Sequence, residues 1–133
     1  MSTSVVYYSG ELRTESTHLQ SGETYITDAP TDNEGKGEAF SPTDLIATGL
    51  ANCMLTIMGI VARRKSLTIE GTKAEVTKIM GKDPRRISEI KIDFFFSRSY
   101  DEDSKKLLQH AALNCPVAKS LADNLTQTIN FHY

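Results

Sequence analysis

Two thiols are the most chemically pointed features of this chain. Cys53 closes the stretch Ser41-Pro42-Thr43-Asp44-Leu45-Ile46-Ala47-Thr48-Gly49-Leu50-Ala51-Asn52-Cys53, and Cys115 stands within Leu113-Asn114-Cys115-Pro116-Val117-Ala118-Lys119-Ser120-Leu121; the chain has no other cysteine. Each motif reads as the front half of a helix, so each thiol is expected near a positive helix end, where the anionic form is favoured. A thiolate is the nucleophilic form of cysteine, and two thiols that meet can cycle between dithiol and disulfide. The opening segment, residues 1–8, lacks the basic start, apolar run and small-residue cleavage site of a secretory signal. The expected location is therefore cytoplasmic, where a permanent disulfide is disfavoured and any pairing is transient.

Other chemistries find less support. There is no Cys-x-x-Cys, and His18, His110 and His132 are scattered, so no metal site and no resident cofactor are expected. No histidine has a neighbouring motif that ties it to either thiol, which places a Cys-His hydrolase third among the functional classes. The formal charge is -2 and the pI near 5.9, with basic residues clustered only at Lys82, Arg85 and Arg86, so nucleic acid is not an expected partner.

The elements that must position these thiols follow from the patterning. With 133 residues, 39% hydrophobic and 24% charged, the chain has the size and composition of one globular domain, expected over residues 1–133. Antiparallel strands are expected over 4–28, with Val5, Tyr7, Leu12, Thr14 and Ser16 in alternating positions and Ser21-Gly22 as a turn. The Pro-, Asp- and Gly-rich text of residues 29–40 reads as a flexible connection. Ser41, Pro42 and Asp44 then supply a hydroxyl cap, a proline at the first helical position and a capping-box acid, which predicts a central helix over 41–65.

That helix is polar only at Thr48, Asn52 and Thr56 over most of its length, so it is expected to be buried nearly all round. Its length borders on a membrane span, but the polar and glycine positions within it favour a core helix, and no membrane association is expected. One small sheet covers one side of a helix, so full burial in so short a chain points to a second subunit. Strands are expected over 71–98, with Ile90, Ile92, Phe94 and Phe96 on the core face. Helices are expected over 102–122, with Cys115 as the N-cap of the second one ahead of Pro116, and a closing strand over 126–132.

The two cysteine motifs, in this order and spacing, resemble those of the OsmC/Ohr family of osmotically induced and organic hydroperoxide resistance proteins, on its OsmC-like branch. The resemblance covers almost the whole chain. It implies an α+β fold in which two chains intertwine as a homodimer, antiparallel sheets wrapping long central helices. It also implies an antioxidant, stress-response thiol peroxidase that reduces organic hydroperoxides to alcohols through a redox-active disulfide. By that resemblance Cys53 is the peroxidatic thiol and Cys115 the resolving one. The reductant is an external dithiol, such as the lipoyl groups of partner proteins, and Arg13 is the cation that stabilises the thiolate.

One departure bears on the site. Typical members carry Pro-Glu at the start of the central helix, where the glutamate pairs with the arginine, whereas this chain has Pro42-Thr43-Asp44. Asp44 or Glu38 takes the glutamate's place beside Arg13, or the chain belongs to a branch of the family with weaker peroxidase activity; the competing reading of Asp44 is the helix cap that its position suggests. Inert core burial is the competing reading for Cys53, a structural cap for Cys115 and a solvated strand arginine for Arg13. A non-catalytic redox sensor or small-molecule binding protein on the same fold is the alternative function.

Overall fold

A computed structural model describes all 133 residues, Met1–Tyr133. The chain forms two compact units, Met1–Leu45 and Ile46–Tyr133. Each unit contains one three-stranded sheet, and the whole is a mixed α+β fold.

The first unit is a meander of strands β1 (Ser4–Gly10), β2 (Arg13–His18) and β3 (Thr24–Asp28), paired antiparallel in the order β1-β2-β3. Leu12, expected within a strand, instead forms the first turn with Glu11, both at positive φ (62° and 56°) after Gly10. The register of the two strands closes there too tightly for an extended residue. The second turn matches the Ser21-Gly22 signal: Gly22, at φ 78°, donates its N–H to the His18 carbonyl at 2.8 Å.

Residues 29–40 are held by hydrogen bonds rather than left as a loose connection. A short 3-10 turn, Thr31–Asn33, follows Pro30; the Asn33 and Gly35 N–H groups both donate to the Pro30 carbonyl, and Gly37 N–H donates to that of Ala29. The Asp28 N–H reaches the Phe40 carbonyl at 3.1 Å, so the segment leaves and returns at one place. Its close folding depends on Gly35, where a methyl group would overlap the Ala29 carbonyl.

Helix α1 (Pro42–Arg64) opens with the expected reciprocal cap. Ser41 N–H donates to Asp44 Oδ2 at 2.9 Å, and Asp44 N–H donates to Ser41 Oγ at 3.1 Å. Beyond Leu45 the helix belongs to the second unit. There Leu50, Met54 and Met58, with Ala47, Ala51 and Ala62, form a buried stripe at helical spacing.

The expectation of burial nearly all round is corrected for the single chain: Ile46 and Ile60 are 48% and 40% exposed. By length and composition α1 is long and apolar enough to cross a membrane, with a mean hydropathy of 2.0 over an 18-residue window. Its buried stripe joins the protein core instead.

The second sheet has β4 (Lys73–Gly81) antiparallel to β5 (Arg86–Phe95), and β5 parallel to β6 (Thr126–His132). Ile90, Ile92 and Phe94 of the central strand are fully buried and share one core with the α1 stripe and Leu108. Burying each such side chain stabilises the fold by about 1.5–3 kcal/mol. Helix α2 (Glu102–Leu113) is capped by Asp101, whose carboxylate accepts the Ser104 N–H at 2.7 Å. It turns its Leu108-Ala111-Ala112 face inward. Helix α3 (Pro116–Ser120) follows at once, with Cys115 as its N-cap and proline at its first position, as the sequence predicts.

Candidate thiol site

The second unit brings the two thiols together. Cys53 and Cys115 are both reduced, and their side chains lie within hydrogen-bonding reach of each other. Their placements differ. Cys53 sits at the middle of the 23-residue α1, about three turns from its start, too far in for the helix dipole to act on it. The expectation of a front-half position is thus corrected for Cys53: the apolar run continues past it to Arg64, and only the far end is marked by basic residues. Cys53 is half-buried and packs against the core.

Cys115 does occupy a helix start. Its backbone is extended (φ -68°, ψ 153°), and its Sγ accepts the Ala118 N–H at 3.4 Å. Gln127 of β6 donates to the Ala118 carbonyl at 3.0 Å and ties this short helix to the sheet. The positive end was expected to favour the Cys115 thiolate, but the thiol is fully buried, and burial pushes its pKa above the ordinary value. The Ala118 N–H pulls the other way and does not overcome it, while the neighbouring Cys53 adds to the rise. An asymmetric pair results: a half-buried thiol on the long helix and a sealed, protonated thiol beside it.

The first unit holds Arg13. It opens β2 directly opposite Asp28, the last residue of β3. Arg13 Nη2 donates to Asp28 Oδ2 at 3.2 Å and lies 3.8 Å from Glu38 Oε1. Glu38, weighed from the sequence as an arginine partner, is one; Asp28 was not foreseen. The hairpin register would have shown it, since a turn at Ser21-Gly22 that pairs Thr17 with Thr24 also pairs Arg13 with Asp28. Asp28 is 1% exposed, and the Glu38 backbone N–H, donating at 3.0 Å, is the main influence holding its carboxyl below the usual range. Burial opposes this, and Arg13 adds to the lowering. Asp44 serves in the helix cap with Ser41.

What two adjacent thiols can do chemically is exchange electrons as a pair. Nowhere do three or more His, Cys, Asp or Glu side chains gather to hold a metal ion.

Comparison with known proteins places this arrangement. None of the curated proteins compared matches the chain. Among solved structures, a Psychrobacter arcticus protein provisionally described as an osmotic stress induced and detoxification response protein is 55% identical. The match covers 99% of this chain and 96% of that one, with a TM-score of 0.96. The organic hydroperoxide resistance protein OsmC of Legionella pneumophila shares the fold at 16% identity and TM-score 0.74, covering 100% of this chain and 98% of its own. The organic hydroperoxide resistance protein OhrB of Bacillus subtilis does so at 18% and 0.65, covering 97% of each. The family model of OsmC-like proteins matches residues 35–130, a span that includes both cysteines. Motifs, fold and comparisons agree, and the chain belongs to the OsmC-like protein family.

Proposed function

We propose that the protein is a cysteine-based peroxidase that reduces organic hydroperoxides, with Cys53 as the attacking thiol and Cys115 as the resolving thiol. The observation that carries this reading is the pairing of the two cysteines across the second unit, one half-buried and one sealed. Structural relatives named for organic hydroperoxide resistance support the substrate class.

In the proposed cycle the Cys53 thiolate attacks the distal peroxide oxygen and the O–O bond breaks. The alkoxide takes a proton and leaves as the alcohol, and Cys53, oxidised by two electrons, becomes a sulfenic acid. The Cys115 sulfur attacks the Cys53 sulfur, an S–S bond forms, and water departs with the proton that Cys115 gives up. An external dithiol, of the lipoyl kind, then reduces the disulfide and is itself oxidised. Arg13 is assigned, by the family resemblance, the positive charge that favours the Cys53 thiolate.

The working form is proposed to be a homodimer. Ile46, Gly49, Cys53, Thr56 and Ile60 recur at alternating steps of three and four along α1, away from its buried stripe, which is the spacing of a helix–helix seam. Cys53 lies within that seam.

The test is steady-state consumption of cumene hydroperoxide with a dithiol in excess. The parent protein turns over repeatedly, Cys53→Ser abolishes turnover, and oxidised parent carries a Cys53–Cys115 disulfide within one chain. A protein oxidised once that then stops is a sensor instead. A Cys53→Ser variant that keeps the parental rate overturns the assignment of roles.

A further inference from the structure

We propose that Gln127 is the positioning residue for Cys115, its side chain fixing α3 on the sheet so that the resolving sulfur faces Cys53. The inference rests on the proposed pairing of the two thiols and deepens it.

The pattern of β6 marks Gln127 as out of place. Gln127, Ile129 and Phe131 alternate along this strand, opposite Ile90, Ile92 and Phe94 of β5, all three of which are fully buried. Ile129 and Phe131 pack against the core as that register requires. Gln127 puts a primary amide on the same inward side, where a polar group costs free energy unless it is hydrogen-bonded. Its partner is in α3: Gln127 Nε2 donates to the Ala118 carbonyl at 3.0 Å.

Helix α3 needs such a tie. It has five residues, too few to hold themselves as a helix. It stops at Ser120, and Leu121 is already extended (φ -80°, ψ 152°), so the Ala118 carbonyl lies past the helix's own N–H ladder. Gln127 takes that orphan carbonyl, while the N–H of the same residue engages Cys115 Sγ at 3.4 Å. Ala118 is thus held by the sheet at one end and holds the thiol at the other. Val117, Ala118 and Leu121 also press α3 onto the core, but apolar contact is non-directional and does not set how a short helix is turned. A hydrogen bond does.

The base of the tie is itself fixed. Elsewhere on β6, Thr128 donates to Glu89 Oε2 at 2.6 Å, Asn130 donates to Asp93 Oδ1 at 3.1 Å, and His132 Nε2 lies 2.9 Å from that same oxygen. These contacts lock β6 onto the central strand. Gln127 acts on the thiol only through Ala118 and is not a catalytic residue. The step it governs is the second one, in which the Cys115 sulfur attacks the Cys53 sulfur in line with the departing oxygen. A misplacement of about 1 Å slows such a step by up to about a hundredfold. A sulfenic acid left uncaptured is oxidised by more peroxide to the sulfinic acid.

The test compares the full-length parent with Gln127→Met, which keeps the bulk without the donor, and Gln127→Glu, which keeps the shape but sets an acceptor against the carbonyl. Each protein is mixed rapidly with cumene hydroperoxide in the absence of dithiol and quenched over time. Peptide mass spectrometry reads the Cys53 sulfenic acid as its dimedone adduct, the Cys53–Cys115 disulfide and the Cys53 sulfinic acid. We expect the first oxidation of Cys53 to stay within about twofold of the parent, while disulfide formation slows about tenfold and sulfinic acid accumulates. Hydrogen exchange at the Ala118 amide should quicken in both variants. A general loosening of the fold would slow the two steps together, so the split between them separates positioning from mere stability.

Disulfide formation at the parental rate in both variants, or equal slowing of both steps, overturns the inference. If the parent itself forms no Cys53–Cys115 disulfide, the proposed cycle fails instead, and exchange at the Ala118 amide decides the placement alone. Faster exchange in both variants then upholds Gln127 as the tie on α3, and parental exchange overturns it.

Discussion

The two cysteines carry the same functional group and differ in almost everything around it. Cys115 is fully buried, its Sγ is engaged by the Ala118 N–H, and burial holds it protonated beyond the pH at which a free thiol ionises. Cys53 is half-buried on the long helix. Iodoacetamide at pH 8 should therefore modify Cys53 at least about tenfold faster than Cys115, measured by peptide mass spectrometry over time; equal rates would contradict the asymmetry. The sign for stability follows from the same shift. Because the folded pKa of Cys115 is raised, the unfolded chain loses this proton first, so its contribution to stability is complete below the unfolded thiol's pKa and is lost as pH rises through the folded one. The cap role of Cys115 was legible from its motif, because proline after cysteine leaves little else for the backbone to do, while the motif of Cys53 put it too near the front of its helix. Asp28 was not legible: its place beside Arg13 comes from cross-strand register, burial and a backbone N–H ten residues away, and no local pattern marks those.

Among the elements, the segment before α1 shows most clearly where sequence reading stops. Its composition marks a connection, but composition does not say whether polar backbone groups find partners within the segment or in water. Here the Pro30 and Ala29 carbonyls take the Asn33, Gly35 and Gly37 N–H groups, and Glu38 N–H ends on the Asp28 carboxylate. Gly35→Ala places a methyl against the Ala29 carbonyl and forces this arrangement open. The expected cost is about 1–3 kcal/mol in urea unfolding, with faster hydrogen exchange at the Gly37 and Glu38 amides. A variant with parental stability and exchange would show that the loop adapts freely. The helices and the second sheet were easier to read. Capping residues marked the α1 start, and alternation of Ile90, Ile92 and Phe94 marked the buried face of β5. The first turn was missed because Glu11 and Leu12 adopt left-handed conformations without a glycine at either position.

For the whole molecule, the question is what covers the apolar surface that one chain leaves open. Helix α1 spends its buried stripe on the core of the second unit, yet Ile46 and Ile60 remain 48% and 40% exposed on the seam that also carries Cys53. In the first unit Val6, Tyr7, Tyr8 and Tyr25 are all more than half exposed. So much exposed aromatic and aliphatic surface on a 14.7 kDa chain is what the proposed homodimer would cover. The sequence pointed the same way through the near absence of a polar face on α1, and the alternating three- and four-residue steps of the seam suit a second α1. Sedimentation of the parent at micromolar concentration should give twice the chain mass. Ile60→Lys puts a charge into the seam, and we expect it to weaken association by at least about 2 kcal/mol, roughly thirtyfold in the dissociation constant, while the core facing β5 is untouched. Because Ile60 is exposed in the single chain, retention of native circular dichroism in a monomeric Ile60→Lys protein would separate loss of assembly from loss of fold. Parent protein that sediments at a single chain mass across this range would leave the seam without the partner assigned to it.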